Sequence, residues 1–418
     1  MRIFEGRAAE SYVRKLEKRE QRLDALEPRV RRIVQSVRRD GDRALRRYAE
    51  RWDGLRAGDP LRVSESEMQA ALKSVSRELR VALEIAAGNI RTFCEWQKPA
   101  GWERAMQGRR LGQLVRPLSS VGCYVPGGRY PLPSTLLMTV IPAQVAGVKD
   151  IRVVSPRPAP VTLAAAALLG VPEFYRIGGA HAIAALAYGT KTIPPVNKIV
   201  GPGNLFVTTA KKIVAFDCAI DFPAGPTEGL ILCDNGKPAF IASDLVAQAE
   251  HDPDALVLLV TRSRKLAASV SRSVATLAKG NPIAQQSLRK HGAVLLTRSP
   301  AQAIDWTNRI APEHLTTTRE RLPGIVSAGS IFLGDYSAQA AGDYGSGPNH
   351  VLPTGGVARF RGGLSVLDFV KIMTVQEISR AGLRKIAPSI LTLAEAEGLK
   401  GHGRSIELRC GELRYDHA

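Results

Sequence analysis

Apolar positions recur at helical spacing through the first hundred residues, with Val30, Ile33, Val34 and Val37, then Leu45 and Tyr48, forming one stripe. Helix is therefore expected over 8–50 and 66–96, broken at Gly41, with a connection at 52–65 holding Gly54, Gly58 and Pro60. Residues 99–111, with Gly101 and Gly108, read as a turn-rich passage. From about Arg116 the pattern changes to short β-rich runs alternating with Ala-rich helical ones. The strands fall at 121–125, 150–155, 173–177 and 198–200, each followed by a helical run. A second series has strands at 229–233, 256–260, 293–296, 315–318 and 330–333, with helices at 239–250, 262–279 and 300–309. Alternation at this interval predicts βαβ units and parallel sheets. The expected fold is α/β: two incomplete Rossmann-like lobes with small helical appendages at both ends, the last carrying helices near 375–398.

Composition changes this picture little. A chain of 418 residues with 44% hydrophobic and 23% charged residues is an ordinary globular protein. The net charge of +19 would suit nucleic acid or another anion. No zinc finger, aromatic RNA-binding signature or uninterrupted basic tail accompanies it, and Asp40, Asp42 and Glu50 interrupt the Arg-rich helices, so nucleic-acid binding is not expected. Five cysteines without a C-x-x-C pair point to free thiols in a reducing compartment. The longest apolar run, 163–171, is too short to span a bilayer, so the expectation is a soluble cytoplasmic protein without membrane contact.

Candidate chemistry sits in loops and at helix ends. Pro126-Gly127-Gly128-Arg129, Gly178-Gly179 and Gly201-Pro202-Gly203-Asn204 fall where strands should hand over to helices, and Arg129 suits an anion. Glycine lets backbone N–H groups approach a phosphate at a helix N-terminus, although neither the GxGxxG nor the P-loop fingerprint is present. Gln248 and His251 project from one face of a terminal helical turn. They make half of a metal site or a solvated helix end beside Pro253. Pro312-Glu313-His314 sets a carboxylate beside an imidazole just before a strand; neighbours pointing different ways would suit two proton-handling tasks, or a plain loop pair. Asp343 and His350 share the Gly-rich loop 341–350, from which Asp343 could complete a metal set. Spacing alone makes His402 a surface residue.

These stretches, taken in order with Tyr124-Val125-Pro126-Gly127-Gly128, Pro223-Ala224-Gly225-Pro226-Thr227-Glu228, Asn349-His350-Val351-Leu352-Pro353 and Glu397-Gly398-Leu399-Lys400-Gly401-His402, resemble histidinol dehydrogenase over essentially the whole chain. The resemblance implies an NAD-dependent oxidation of L-histidinol to L-histidine in two hydride transfers, through bound L-histidinaldehyde. It assigns Gln248, His251, Asp343 and His402 to Zn²⁺, with His402 reaching in from the partner of an intertwined homodimer. Glu313 and His314 would be catalytic; Thr227, His350 and Glu397 would join Gln248 and His251 around the substrate; Tyr124, His181 and Asn204 would contact NAD. The implied division is an arm at 1–19, a first lobe at 20–117 and 226–363 with the metal and catalytic residues, a second lobe at 118–225 with the cofactor loops, and an appendage at 364–418. Three positions depart from the family pattern: His181 stands where Gln is usual, Thr227 where Ser is, and Gln339 where an acid is common. The alternative is a paralogue that keeps zinc and NAD but oxidises another alcohol, such as a sulfonate-bearing diol; Glu397 favours the amine-bearing substrate.

Overall fold

A computed structural model describes residues 1–19, 23–127 and 130–411. Gly128 and Arg129 of the first glycine-rich loop, and residues 412–418 with His417, lie outside the described residues. The chain forms two compact units: Met1–Gln97 with Leu118–Phe369, and Lys98–Pro117 with the chain from Val370 onward.

The larger unit begins with strand β1 (Arg2–Glu5) and helices α1 (Gly6–Glu17), α2 (Glu27–Asp40) and α3 (Asp42–Tyr48). A widened helical turn at Ala49–Asp53 follows, then β2 (Arg62–Val63), α4 (Glu65–Ser74) and α5 (Arg77–Gln97). The smaller unit takes β3 (Trp102–Met106) and β4 (Arg109–Pro117). The larger resumes with β5 (Ser120–Tyr124), α6 (Pro133–Ala146), β6 (Asp150–Val154), α7 (Pro160–Leu168), β7 (Glu173–Tyr175), α8 (Gly179–Tyr188), β8 (Lys198–Val200), α9 (Leu205–Val214) and β9 (Ala219–Ile220). Next come β10 (Glu228–Leu232), α10 (Pro238–Ala249), β11 (Leu256–Thr261), α11 (Arg264–Leu277), α12 (Pro282–Lys290), β12 (Ala293–Leu296) and α13 (Pro300–Ile310). β13 (His314–Thr317), β14 (Ser330–Leu333) and α14 (Gln339–Tyr344) complete it.

Two six-stranded sheets result, ordered β2-β7-β6-β5-β8-β9 and β1-β12-β11-β10-β13-β14, parallel throughout except where β2 meets β7. Their central strands are continuous apolar runs, such as Leu256–Thr261, buried on both faces because helices cover both sides. In each sheet the winding reverses once, between β5 and β8 and between β10 and β13. Caps set the helix starts: Ser299 accepts from Gln302 N ahead of Pro300, and Ser263 from Leu266 N.

Three expectations are corrected. The arm is not purely helical: β1 joins the sheet edge in register with β12, and α1 buries Ala9, Val13 and Leu16 against Leu230, Leu258 and Trp306. The stripe Val30, Ile33, Val34, Val37 and Leu45 packs on Ile177, Ile183, Leu186 and Val207, and so belongs with the sheet carrying the glycine loops rather than with the first lobe. The stretch 99–111, expected as a turn-rich passage, instead holds β3 and the start of β4, the hairpin of the smaller unit. Gln107 and Gly108, with φ of 51° and 77°, make the tight turn between its strands.

In the smaller unit β15 (Val370–Ile378), expected to be partly helical, pairs antiparallel with β4 over its whole length. α15 (Arg380–Ala396) and α16 (Lys400–Cys410) pack on each other. β15 leaves Ile372, Met373, Val375 and Ile378 exposed. All five cysteines are buried free thiols. Among the described residues no helix is long and apolar enough to cross a membrane.

Candidate active site

The acid and imidazole of Glu313-His314 are delivered by a left-handed turn. Ala311, with φ 49°, ends α13 and swings Pro312 and Glu313 onto the start of β13. Glu313 lies just outside the strand pleat, so the two side chains converge instead of diverging as expected: His314 Nδ1 stands 3.6 Å from Glu313 Oε2. The Glu228 N–H donates to the same Oε2 at 2.9 Å. Glu228 is itself held by both arms of Arg19, at 2.7 and 2.6 Å, and accepts from Gly355 N. On its other side His314 Nε2 lies 3.4 Å from Asp343 Oδ1, and its ring stacks on Phe332 at 6.0 Å.

α10 runs back along the sheet from the end of β10, so its last turn sits beside the starts of β10 and β13. Gly229 makes that approach possible, since a Cβ there would stand 3.0 Å from Gln248 Cγ. Gln248, 1% exposed, points its Nε2 at Asp343 Oδ2, 3.4 Å away. Its Oε1 is buried without a hydrogen-bond partner, and both His314 nitrogens make only the longer carboxylate contacts just described. His251 lies one turn on, at the exposed helix end. His350 Nδ1 donates to the Asp343 carbonyl at 2.7 Å, because a carbonyl only accepts; Nε2 is then left to accept from Thr135 Oγ1 at 3.3 Å.

Electrostatics follow from burial and crowding of like charge. Burial pushes Glu313 up from the ordinary carboxylate range. Burial alone would lower His314, but the Glu313 carboxylate, then Asp343, overrule it and hold the imidazole pKa up to about 10. Burial opposes ionisation of Asp343, yet the adjacent His314 keeps it below its usual value. Burial lowers His350, so it is neutral at pH 7. The Gln248 oxygen, the Asp343 carboxylate and the His251 imidazole are hard and borderline donors of the kind divalent zinc takes. Among the described residues no group of three His, Cys, Asp or Glu is placed to hold a metal ion.

The glycine loops form a second cluster, at the C-terminal ends of β5, β7 and β8, flanking the winding reversal where α/β sheets bind ligands. Tyr124 Oη accepts from Gly179 N at 3.1 Å, and burial drives its pKa up to about 12, so it stays a phenol. Asn204 caps α9, its Oδ1 accepting from Phe206 and Val207 N. His181 is 1% exposed, with Nε2 2.7 Å from Asp53 Oδ2 and the Tyr48 and Trp52 rings nearby.

The structure thus joins Glu313, His314, Asp343, Gln248 and His350 by direct contacts, places His251 on the same helix end, and puts Thr227 next to the Glu228 that braces Glu313. Tyr124, His181 and Asn204 share the other sheet's edge. Glu397 and His402 are exposed residues of the smaller unit. Sequence reasoning missed Thr135, Arg19, Glu228 as a brace, and Asp53. Asp53 carried no distinct signal, since its turn, Ala49–Asp53, also holds the charged Glu50 and Arg51.

Two parallel α/β sheets in one unit, one with glycine loops at its winding reversal and the other with a buried acid–imidazole cluster, have the build of an α/β enzyme. A family model for histidinol dehydrogenase matches residues 16–410. The histidinol dehydrogenase of Methanothermobacter thermautotrophicus is 49% identical over 402 residues, covering 92% of this chain and 93% of that protein. That of Methanosarcina mazei is 47% identical over 395 residues, covering 91% and 90%. A crystal structure of histidinol dehydrogenase from Elizabethkingia anophelis matches with a TM-score of 0.93 at 36% identity, covering 99% of this chain and 98% of that one. The chain belongs to the histidinol dehydrogenase family.

Proposed function

We propose that the protein oxidises L-histidinol to L-histidine in two hydride transfers to NAD⁺, the last steps of histidine biosynthesis, keeping L-histidinaldehyde bound between them. One observation carries this reading: in a chain of this family, two proton-handling groups 3.6 Å apart adjoin a buried carboxamide oxygen without a partner. Zn²⁺ on Gln248, His251, Asp343 and the partner subunit's His402 would orient the substrate imidazole and amine, and NAD⁺ would take up the hydrides.

The chain's own residues supply the rest. His314 receives the alcohol proton in the first half, which requires a neutral imidazole; a cation on Asp343 would remove one of the two charges that now favour the imidazolium. Glu313 then takes a proton from the water that adds to the aldehyde, and burial makes it a stronger base than an exposed carboxylate. Thr227, His350 and Glu397 complete the substrate site. Tyr124, His181 and Asn204, on a Rossmann-like lobe, hold NAD. An intertwined homodimer is supported by the exposed positions of Glu397 and His402 and by the exposed apolar side chains on β15. Buried thiols with no disulfide among the described residues suit the cytoplasm.

The test is NADH formed per L-histidinol consumed by zinc-loaded protein. About two NADH are expected, with turnover abolished by EDTA and lowered by roughly 10²- to 10⁴-fold in His314→Ala. One NADH with aldehyde released would remove the role given to Glu313. No turnover by folded, zinc-bearing protein would overturn the histidinol assignment in favour of another alcohol.

A further inference from the structure

Helix α9 carries a lysine where its neighbours are core. Val207, Ala210 and Val214 share its inward stripe, and Lys211 is 1% exposed. A buried ammonium needs an acceptor for each of its three protons. Lys211 has them: the Asp221 carboxylate, the Gly201 carbonyl at 3.0 Å and the Phe222 carbonyl at 3.2 Å. Asp221, 4% exposed, accepts in turn from Gly201 N at 2.8 Å and from Phe222 N at 2.6 Å.

The location gives this pair its meaning. Gly201 directly follows β8 and Asp221 directly follows β9, two adjacent parallel strands. Asp221 therefore holds the N–H of Gly201 while Lys211 holds its C=O, fixing both ends of the residue that opens the loop Gly201-Pro202-Gly203-Asn204. Gly201 has φ +112°, and a Cβ on it would lie 2.1 Å from the Tyr124 carbonyl oxygen, so the loop is pressed against the end of β5. The same ammonium fixes Phe222, and Thr208, on the same helix, donates to Ala224 O at 2.8 Å. Through these contacts one helix face sets the conformation of the segments that follow two neighbouring strands.

We propose that Lys211 and Asp221 are positioning residues for the dinucleotide: the ion pair pre-forms the Gly201–Asn204 loop, so that its backbone and Asn204 meet the cofactor without first being ordered. This rests on the reading that the loop binds NAD. Lys211 makes no contact with reacting atoms and moves no proton; it acts through Gly201. A loop held in its bound form loses less conformational entropy on binding, so loosening it should weaken the dinucleotide and leave the other ligands alone.

The test compares wild type with K211M/D221N. Removing both charges avoids stranding one of them in the interior, and the carboxamide that replaces the Asp221 carboxylate can still serve part of the backbone. NAD⁺ affinity is read directly by titration of the zinc-loaded protein, alongside KM for NAD⁺, KM for L-histidinol and bound zinc. The expected result is an NAD⁺ Kd raised by about tenfold or more, with the L-histidinol KM within about twofold and zinc content unchanged. A merely structural pair would instead lower the melting temperature without separating the two KM values. If the double variant does not unfold cooperatively, K211R, which keeps the charge and moves the donors, carries the same comparison. A folded variant that binds NAD⁺ as tightly as wild type overturns the proposal alone. Wild type that binds no NAD⁺ overturns the cofactor reading beneath it, and the proposal with it.

Discussion

Glu10 anchors the first helix of the chain to α13, and neutralising it should produce a stability loss that depends on pH. Its carboxylate accepts from Arg309 at 3.0 Å, from Arg14 at 3.1 Å and from the indole N–H of the buried Trp306 at 2.9 Å. The hydrogen bond from Arg309, with those from Arg14 and Trp306, outweighs partial burial and brings the carboxyl from the ordinary 4.5 down to about 2. At 1.36 kcal/mol per pH unit this sets a ceiling of about 3.4 kcal/mol. The side chain is 32% exposed, and solvent screening of such a pair leaves about 1 kcal/mol. Because the folded value lies below the unfolded one, the contribution is complete above pH 4.5 and disappears as pH falls towards 2. Glu10→Gln retains an oxygen for the indole and removes only the charge. Urea unfolding should show the variant about 1 kcal/mol less stable at pH 7, with the two curves converging only as the pH approaches about 2. A deficit of equal size at both pH values would refute the electrostatic account and make Glu10 a packing residue.

Two further outcomes follow from the site's supports. Arg19→Met leaves Glu228, whose side chain is 6% exposed, without its counter-charge, and should cost about 3 kcal/mol in denaturant unfolding. The added substitution Glu228→Gln should recover most of that loss, and a single variant as stable as wild type would show that the pair carries no net weight. Gly201→Ala forces a Cβ to 2.1 Å from the Tyr124 carbonyl at φ +112°. It should lower stability by about 2 kcal/mol or more and raise the NAD⁺ Kd, and unchanged values in both measurements would refute the close approach.

The α/β alternation was legible because buried parallel strands are uninterrupted apolar runs and their helices are Ala-rich; the expected strands at 121–125, 256–260 and 293–296 match β5, β11 and β12 to within two residues. β15 was not legible. Its residues are nearly all exposed, so no buried face imposed a period of two, and its register comes from β4, some 260 positions away. β1 is four residues long and abuts a helix. Of the active-site cluster, Glu313, His314, Asp343 and Gln248 were nameable from motifs, but their convergence depends on the Ala311 turn, which no residue type announces. Lys211 was detectable in principle, since it falls on the apolar stripe of α9 at helical spacing, but a Lys-Lys pair reads as a surface.

The placement of β1 governs the order in which the protein can complete itself during synthesis. Arg2–Glu5 lie opposite Ala293–Leu296, so β1 waits for its partner until about 290 further positions have been translated. The strands β5 to β9 all lie between residues 120 and 220 and can pair while the second sheet is still unmade. The glycine-loop half is thus free to mature first, and the acid–imidazole half closes its edge last, as contacts distant in sequence form late. A circular permutant starting between β9 and β10 would reverse that schedule, placing β10 to β14 at the front of the chain and β5 to β9 at its end.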